Sequence, residues 1–235
     1  MTIQETEPTA TETPTAVGMV LELPLSVAVK SAAAMLTCTS RDRVTPVLTA
    51  ANFSGTELLA SDRHKAVRFP LPIASDVNGG RLVLGESFLI PQEALIWVSK
   101  LTLRSLEYGK APELTVPDRG YTVRYERDAE AGTVTASVID MFGVLERSEA
   151  FAEMTGNFPP IQNIYREMPP AGDEPHEFNP KFMGVILAYC DKHGDKGAPF
   201  AMTVHASERP GGTSTVAIQG AGASFLLSGY HEGRR

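Results

Sequence analysis

Five residues near the end of the chain are of the types that bind metal ions. They are Cys190, Asp191, His193, Asp195 and His205. Their spacing matches no familiar pairing of zinc ligands, and Cys190 lies near the apolar side of a predicted helix, where a thiol packs as a small hydrophobe. We therefore expect neither a metal site nor a bound cofactor.

Two further segments have residue types that occur in active sites. Ser61–His64 reads Ser-Asp-Arg-His, but it is predicted to lie in a strand, where neighbouring side chains point to opposite faces and cannot assemble one triad. Gly220–Ala223 is rich in glycine but precedes no predicted helix that could bind a phosphate at its N-terminus, so it is predicted to be a turn. With no catalytic arrangement left, the sequence predicts a protein that is not an enzyme.

Basic side chains recur along the predicted helices and beyond their ends, and they could neutralise phosphates without reading bases. Lys100 and Arg104, for example, are spaced i,i+4 on the polar side of one helix. Lysine and arginine also favour helix C-termini for dipole reasons, so ordinary solvated cations are an open alternative. The candidate DNA-binding residues are Lys30, Arg41, Arg43, Arg63, Lys100, Arg104, Lys192 and Lys196.

Composition limits the function classes. The chain has 235 residues, 43 % of them hydrophobic, which allows one large domain or two modest ones with a real core. A net charge of −7 argues against an indiscriminately basic nucleic-acid coat but not against a local basic surface. With two cysteines, no apolar run long enough to span a bilayer and no signal peptide, we expect a cytoplasmic protein without a membrane contact.

The elements that position these residues follow a repeated pattern. Residues 1–18 form a Thr/Pro/Glu tract that carries three of the acidic residues and is predicted to be a disordered tail. After it, three segments each consist of a short strand, a proline and an amphipathic helix, with the helices starting at Pro24, Pro91 and Pro180. The predicted buried faces include Leu25 to Leu36 in the first helix, Leu95 to Leu106 in the second and Phe182, Val185, Ile186 and Tyr189 in the third.

Several strands follow each helix. Residues 121–126 alternate between apolar and polar, Ala-Gly at 131–132 marks a hairpin, and similar strands follow the first and third helices. The sequence therefore predicts an α+β protein of repeated strand-helix-strand-meander half-domains with helices on one face of antiparallel sheets. The first two prolines are 67 residues apart and the next two 89, which indicates an insertion in the middle unit, most easily at 104–120.

The order of several motifs resembles the bacterial and phage-type DNA polymerase sliding clamps, the beta-clamp-like processivity factors. The motifs are Arg43–Leu48 (RVTPVL), Gly55–Asp62 (GTELLASD), Phe88–Leu101, Asn157–Pro160 (NFPP) and Glu177–Asn179 (EFN). The resemblance implies a DNA-clamp fold and a ring around double-stranded DNA, bound without sequence preference. It also implies DNA polymerase and clamp-loader partners in DNA replication.

The sequence also departs from that family. Its members have six helix-led half-units in three domains, whereas this chain has three, and its end, Ser228–Arg235, lacks the Met-Pro stretch that helps to form the partner-peptide pocket. We expect a clamp-like domain of two half-units at 19–165 and a further half-unit or short second domain at 166–235. The ring is expected to be a trimer before a tetramer or dimer, and the short, divergent chain fits a phage or other mobile replicon. The alternative is a clamp-fold interaction module that binds replication partners without encircling DNA.

Overall fold

The computed structural model of the chain describes residues 19–42, 44–71, 87–102, 120–166, 178–195, 198–205 and 214–228. The predicted tail at 1–18 lies outside these residues. The first half-unit contains β1 (Met19–Pro24), α1 (Leu25–Cys38), β2 (Ala50–Phe53), β3 (Glu57–Ser61) and β4 (Lys65–Pro70). The second contains β5 (Phe88–Pro91), α2 (Gln92–Ser99), β6 (Thr122–Asp128), β7 (Thr133–Ile139) and β8 (Leu145–Ala152). A short α3 (Ile161–Arg166) leads to α4 (Pro180–His193), β9 (Ala201–His205), β10 (Thr215–Gly220) and β11 (Ala223–Ser228).

The first two half-units exchange their leading strands. β1 pairs with β6 of the second unit, with Leu21 opposite Tyr125, and β5 pairs with β2 of the first unit, with Ile90 opposite Ala51. Each pairing is antiparallel, and neither joins strands that are adjacent in sequence. The two units are therefore interlocked.

All strand pairs in the two sheets are antiparallel. The four-stranded sheet has the order β1-β6-β7-β8, and the seven-stranded sheet has the order β5-β2-β3-β4-β11-β10-β9. The third meander joins the first through β11, which lies beside β4 with Phe225 opposite Val67. The predicted half-domain pattern and the antiparallel pairing are confirmed.

The three longer helices lie side by side, with α1 between α2 and α4. Small side chains allow the close approach, since Ala28, Ala32 and Ala34 on α1 are completely buried. α1 also packs on β3 and β4, and α4 packs on β11, so both helices cover the same face of the seven-stranded sheet. The main core fills the space between the helices and the sheets.

On the opposite face of that sheet, α3 covers the seam between β4 and β11. Ile161 forms a second apolar cluster with Ala66 of β4 and Leu226 of β11. The apolar residues next to Ala66 and Leu226 along their strands point to the other face of the sheet and pack in the main core. The Tyr165 hydroxyl donates to the carbonyl of Ser224 over 2.7 Å. The segment that follows Asn157–Pro160 thus fastens the third half-unit to the first.

The helices differ in detail from the predictions. Pro180 is the first helical residue, as predicted, whereas Pro24 and Pro91 are the residues just before α1 and α2. On α4, Ile186 and Tyr189 are buried, but the prediction that Val185 is buried was wrong, since its side chain is 46 % exposed.

The predicted continuation of the second helix toward Leu106 was wrong beyond Ser99. α2 stops at Ser99, and its last turn tightens because Lys100 N donates to the Trp97 carbonyl and Leu101 N to the Val98 carbonyl, three residues back in each case. Leu101 then folds into the core. Leu106 lies outside the described residues. One element of the first meander was also missed, since Pro46–Thr49 form a turn of 3₁₀ helix before β2.

Candidate nucleic-acid interface

The predicted DNA-binding residues that the structure describes fall into three groups. Arg43, Arg104 and Lys196 lie outside the described residues. Lys30 and Lys192 come together where α1 meets α4, and Arg41 and Arg63 come together beyond the other end of α4. Lys100 is exposed at the end of α2, on the other side of α1. Lys100 is the residue that follows α2, and the predicted i,i+4 pair cannot be located because Arg104 lies outside the described residues.

In the group of Lys30 and Lys192, Tyr189 joins α4 to α1 and to the β10–β11 turn. Its buried hydroxyl donates to the carbonyl of Ala221 (3.2 Å) in the β10–β11 turn and lies 3.4 Å from the carbonyl of Lys30 on α1. The ring of His193 stacks on the Tyr189 ring, with the centroids 4.9 Å apart. We call Lys30, Lys192 and His193 the lysine–histidine cluster.

Burial and the two neighbouring lysines lower the pKa of His193. Burial is the largest cause, and the positive charges of Lys192 and Lys30 lower the pKa further. His193 is therefore neutral at pH 7, and both lysines are close enough to act on the same imidazole. A phosphate placed between these side chains would offset the positive charges of the two lysines.

The second group surrounds a groove of about 560 Å³ at the N-terminal end of α4. Its apolar surface comes from Leu36, Leu48, Phe182 and Val185, contributed by α1, the 3₁₀ turn and α4. The charged and polar residues that line it are Arg41, Asp42, Asp62, Arg63, His64, Lys65 and Lys181, together with Thr37, Thr39, Ser40 and Thr45. The groove is thus lined by apolar side chains and by basic side chains in excess over acidic ones.

The turn between β3 and β4 shapes one wall of this groove. Asp62 Oδ1 accepts the backbone N–H groups of His64 (3.0 Å) and Lys65 (2.8 Å), and the other carboxylate oxygen pairs with the Lys65 ammonium. That ammonium also lies 4.7 Å from the centroid of the Phe182 ring. Lys65 is consequently neutralised inside the fold, whereas Arg63, at a left-handed φ of +77°, projects outward and donates to Thr45 Oγ1.

The same turn uses the residues that resemble a hydrolytic triad. Ser61 Oγ donates to the carbonyl of Lys65 over 2.9 Å and accepts the N–H of Arg63 over 3.2 Å. With Asp62 bound to backbone N–H groups, the polar atoms of Ser61 and Asp62 serve to hold the turn. In the part of the chain that the structure describes, no group of three or more His, Cys, Asp and Glu side chains could hold a metal ion.

Sequence reasoning missed Lys181 as a candidate. Lysine in the first turn of a helix opposes the helix dipole, so the dipole preference gives no reason to expect a cation at this position. The helix itself begins because the Asn179 side chain accepts the N–H of Lys181 over 3.0 Å. The signal available was the Asn-Pro-Lys start of α4, which places a cation beside the groove.

Together these groups form a sparse basic surface on the helices and the turns beside them. The lysine–histidine cluster and the groove lie at opposite ends of the 14-residue α4, roughly 20 Å apart by helical rise. Isolated lysines and arginines at such separations attract phosphates but hold no base edge in a fixed geometry. Among the described residues, no helix is long and apolar enough to cross a membrane.

No protein-family model matches the chain, and no curated protein matches its sequence significantly. Solved structures do match. A chain assigned as a DNA polymerase III beta subunit from Eubacterium rectale aligns with a TM-score of 0.54 at 8 % identity, over 93 % of this chain and 67 % of its own. The DnaN sliding clamp from Bartonella birtlesii, in a complex with griselimycin, aligns with a TM-score of 0.52 at 13 % identity, over 93 % and 68 %. The DNA polymerase III beta subunit from Pseudomonas aeruginosa aligns with a TM-score of 0.50 at 10 % identity, over 94 % and 70 %.

These alignments cover nearly all of this chain but only about two thirds of each clamp subunit. At such low identity they carry information about the fold and not about individual residues. The antiparallel sheets, the strand-helix-meander units and the row of helices in the described residues agree with the fold of these clamp structures. The chain has the DNA-clamp fold.

Proposed function

We propose that the chain is a sliding-clamp-like processivity factor that encircles double-stranded DNA as a homo-oligomeric ring and tethers replication proteins to it. The observation that carries this proposal is the clamp fold, with α2, α1 and α4 side by side on one face. In this reading the protein is a scaffold without catalytic activity. It acts in the cytoplasm.

A clamp must hold DNA and still slide. A few lysines and arginines on a helical surface attract the phosphates diffusely, so that moving along the duplex breaks no fixed contact. Lys30, Lys192 and Lys100 lie on or at the ends of the three helices that would line the hole. The net charge of −7 fits the same design, because an acidic outer surface opposes adhesion to DNA elsewhere.

Self-association is supported by two exposed sheet ends. β8 ends the four-stranded sheet and β9 ends the seven-stranded one, and most of their side chains are exposed although neighbouring strands alternate between buried and half-buried. Terminal strands of this kind readily pair or pack with another chain. Since the two ends are different surfaces, copies would associate head to tail and close into a ring. A trimer is the preferred oligomeric state, ahead of a tetramer or a dimer.

The groove beside α4 supports partner binding. Its apolar and basic lining suits a short peptide with one or two apolar anchors and acidic flanks, which is the kind of segment a DNA polymerase or clamp loader would offer. The groove forms from residues up to Val185 and therefore does not depend on the divergent C-terminal residues.

The alternative is an interaction module with the clamp fold that binds replication partners through the groove but does not encircle DNA. The sparse basic surface favours this alternative, since its cations could be ordinary solvated ones. The two functions differ in whether retention depends on the topology of the DNA.

Retention on circular DNA tests the proposal. The protein is diluted to dissociate it, concentrated again with a nicked circular plasmid, and passed through a gel-filtration column in moderate salt; the same plasmid cut once is the control. We expect the protein to elute with the circles and to be lost from the linear DNA. Equal retention on both would leave only the interaction module.

A further inference from the structure

The turn between β7 and β8 carries a cluster of exposed apolar side chains. Met141, Phe142, Val144 and Leu145 are 58, 83, 55 and 59 % exposed. Single exposed apolar side chains are ordinary, but four within five residues form a contiguous patch of the kind that marks an interaction site. We call Met141–Leu145 the apolar tip.

Hydrogen bonds fix the shape of the apolar tip. The Asp140 carboxylate accepts the backbone N–H groups of Phe142 (2.9 Å) and Val144 (2.8 Å), and the Asp140 N–H donates to the Val144 carbonyl over 3.0 Å. Gly143 supplies the left-handed residue of the turn, with φ +82°. Phe142 is thus presented on a rigid turn, which reduces the entropy lost when it docks.

A hollow of about 520 Å³ lies beside the start of β9. The residues that line it are Pro199, Phe200, Ala201, Gln219, Gly220, Gly222, Ala223 and Ser224. None of these side chains is charged, and the glycines leave backbone exposed to an incoming group. Phe200 in the hollow and Met202 next to it are 45 and 55 % exposed, so the apolar surface continues along β9.

The apolar tip and the hollow lie at different sheet ends of the chain. The tip begins β8, the last strand of the four-stranded sheet, and the hollow adjoins β9, the last strand of the seven-stranded sheet. A protruding group and a receiving hollow on two separate surfaces are the elements of a head-to-tail contact.

We propose that the apolar tip of one copy docks in the hollow beside β9 of the next copy, with Phe142 as the anchor. This contact rests on the proposed function, because it supplies the interface that closes the ring. The hollow has room for a phenyl ring with some of the flanking apolar side chains.

Area and charge favour a second copy as the occupant. The exposed apolar side chains on the two surfaces together offer on the order of 600 Å², about half of what the smaller stable interfaces bury, and the flanking terminal strands can supply the rest. The signs of the nearby charges are opposite, since Asp140 lies at the base of the tip and Lys30 lies beside Gly222 at the hollow, with its Nζ 3.9 Å from where a Cβ on Gly222 would be.

Two variants and light scattering test the contact. Phe142→Ser removes the anchor, and Val44→Ser, at a side chain that is also 83 % exposed, is the matched control. We expect the wild type and Val44→Ser to be oligomers of the same mass, and Phe142→Ser to dissociate at protein concentrations at least tenfold higher. If Phe142→Ser stays assembled like the control, the contact is wrong while the ring stands. A monomeric wild type would instead overturn the proposed function.

Cysteine pairs identify the surface that receives the tip, using protein that keeps the rest of the interface. Phe142→Cys and Gln219→Cys are prepared separately in a Cys190→Ser background, because the Cys190 thiol packs against Gly220 of the hollow and would compete for position 142. The two proteins are mixed and oxidised, with each variant alone and Cys190→Ser as controls for Cys38. We expect a cross-link between copies only in the mixture. Cross-linking of Phe142→Cys with itself would indicate a tip-to-tip contact, and an oligomer that forms no cross-link in the mixture would place the interface elsewhere; each result overturns the proposal.

Discussion

At the scale of single residues, the basic side chains divide into those that hold the fold and those that face outward. Lys65 is almost fully buried between Asp62 and Phe182, although its position among Arg63, His64 and Arg68 makes it look like part of a basic patch. Arg68 also pairs with an acidic side chain, the buried Glu57, although Arg68 itself is 47 % exposed. Sequence alone could not separate these groups, because the partners that neutralise a cation are brought to it by the fold.

The pair formed by Asp62 and Lys65 leads to a prediction about stability. Asp62→Ala removes two backbone acceptor contacts and leaves a buried ammonium without its partner, so it should cost about 2–4 kcal/mol in the free energy of unfolding. Lys65→Met leaves Asp62 its two backbone N–H donors and keeps the turn, so it should cost less than Asp62→Ala. Urea denaturation of both variants measures this, and a larger loss for Lys65→Met would contradict the role given to the turn.

The lysine–histidine cluster predicts a pH dependence. Because the folded protein lowers the pKa of His193 below its unfolded value, the unfolded chain takes up this proton first as the pH falls. The stability contributed by neutral His193 is therefore complete above about pH 7 and is lost as the pH falls through the usual histidine range near 6.5 and below. His193→Gln should reduce the fall in unfolding free energy between pH 7.5 and 5.5. An unchanged slope in urea denaturation at the two pH values would contradict this.

The same cluster predicts the effect of charge reversal on DNA binding. Lys30→Glu combined with Lys192→Glu should weaken binding to short duplexes of any sequence, and should lower the slope of log K against log salt by up to about 2. Arg166→Glu is the matched control, because α3 lies on the opposite face of the sheet. Fluorescence anisotropy at several salt concentrations measures both variants. An equal effect of Arg166→Glu would show that the helical face is not the DNA-binding surface.

At the scale of elements, the helices and hairpins follow from local pattern. A proline before an apolar 3.6-residue repeat predicted where α1, α2 and α4 begin. The alternation in 121–126 and the hairpin signal at 131–132 predicted β6 and β7. The exchange of β1 and β5 and the seam between β4 and β11 could not be predicted this way. Those pairings join strands far apart in sequence, so the spacing of residues within a segment does not predict them.

The packing of α1 gives a prediction at this scale. Ala32 is completely buried in the region where α1 packs between its neighbours, and Ala33 beside it is half-buried. Ala32→Leu should overpack the helix layer and cost about 1–3 kcal/mol of unfolding free energy, with a smaller loss for Ala33→Leu. Thermal and urea unfolding compare the two variants. A reversed order would mean that the helices are spaced differently.

At the scale of the whole molecule, the chain has the DNA-clamp fold with two exposed sheet ends. Clamp structures align with 93 % of the chain, and the chain aligns with about two thirds of each clamp subunit. Sequence motifs were enough to predict the fold, because their order along the chain reports the order of the half-units. They were not enough to predict the lysine–histidine cluster or the apolar tip and its hollow, because each joins surfaces that only the folded chain, or a second copy, brings together.

Release by a single cut is the most direct test of encirclement. The protein is assembled on a nicked circular plasmid that has one restriction site, freed of unbound protein by gel filtration, and followed by fluorescence after the restriction enzyme is added. We predict stable retention before the cut and release afterwards, with release prevented when both new ends are blocked by a bulky bound protein. Retention that is unaffected by cutting, or release that ignores blocked ends, would contradict a ring that encircles DNA.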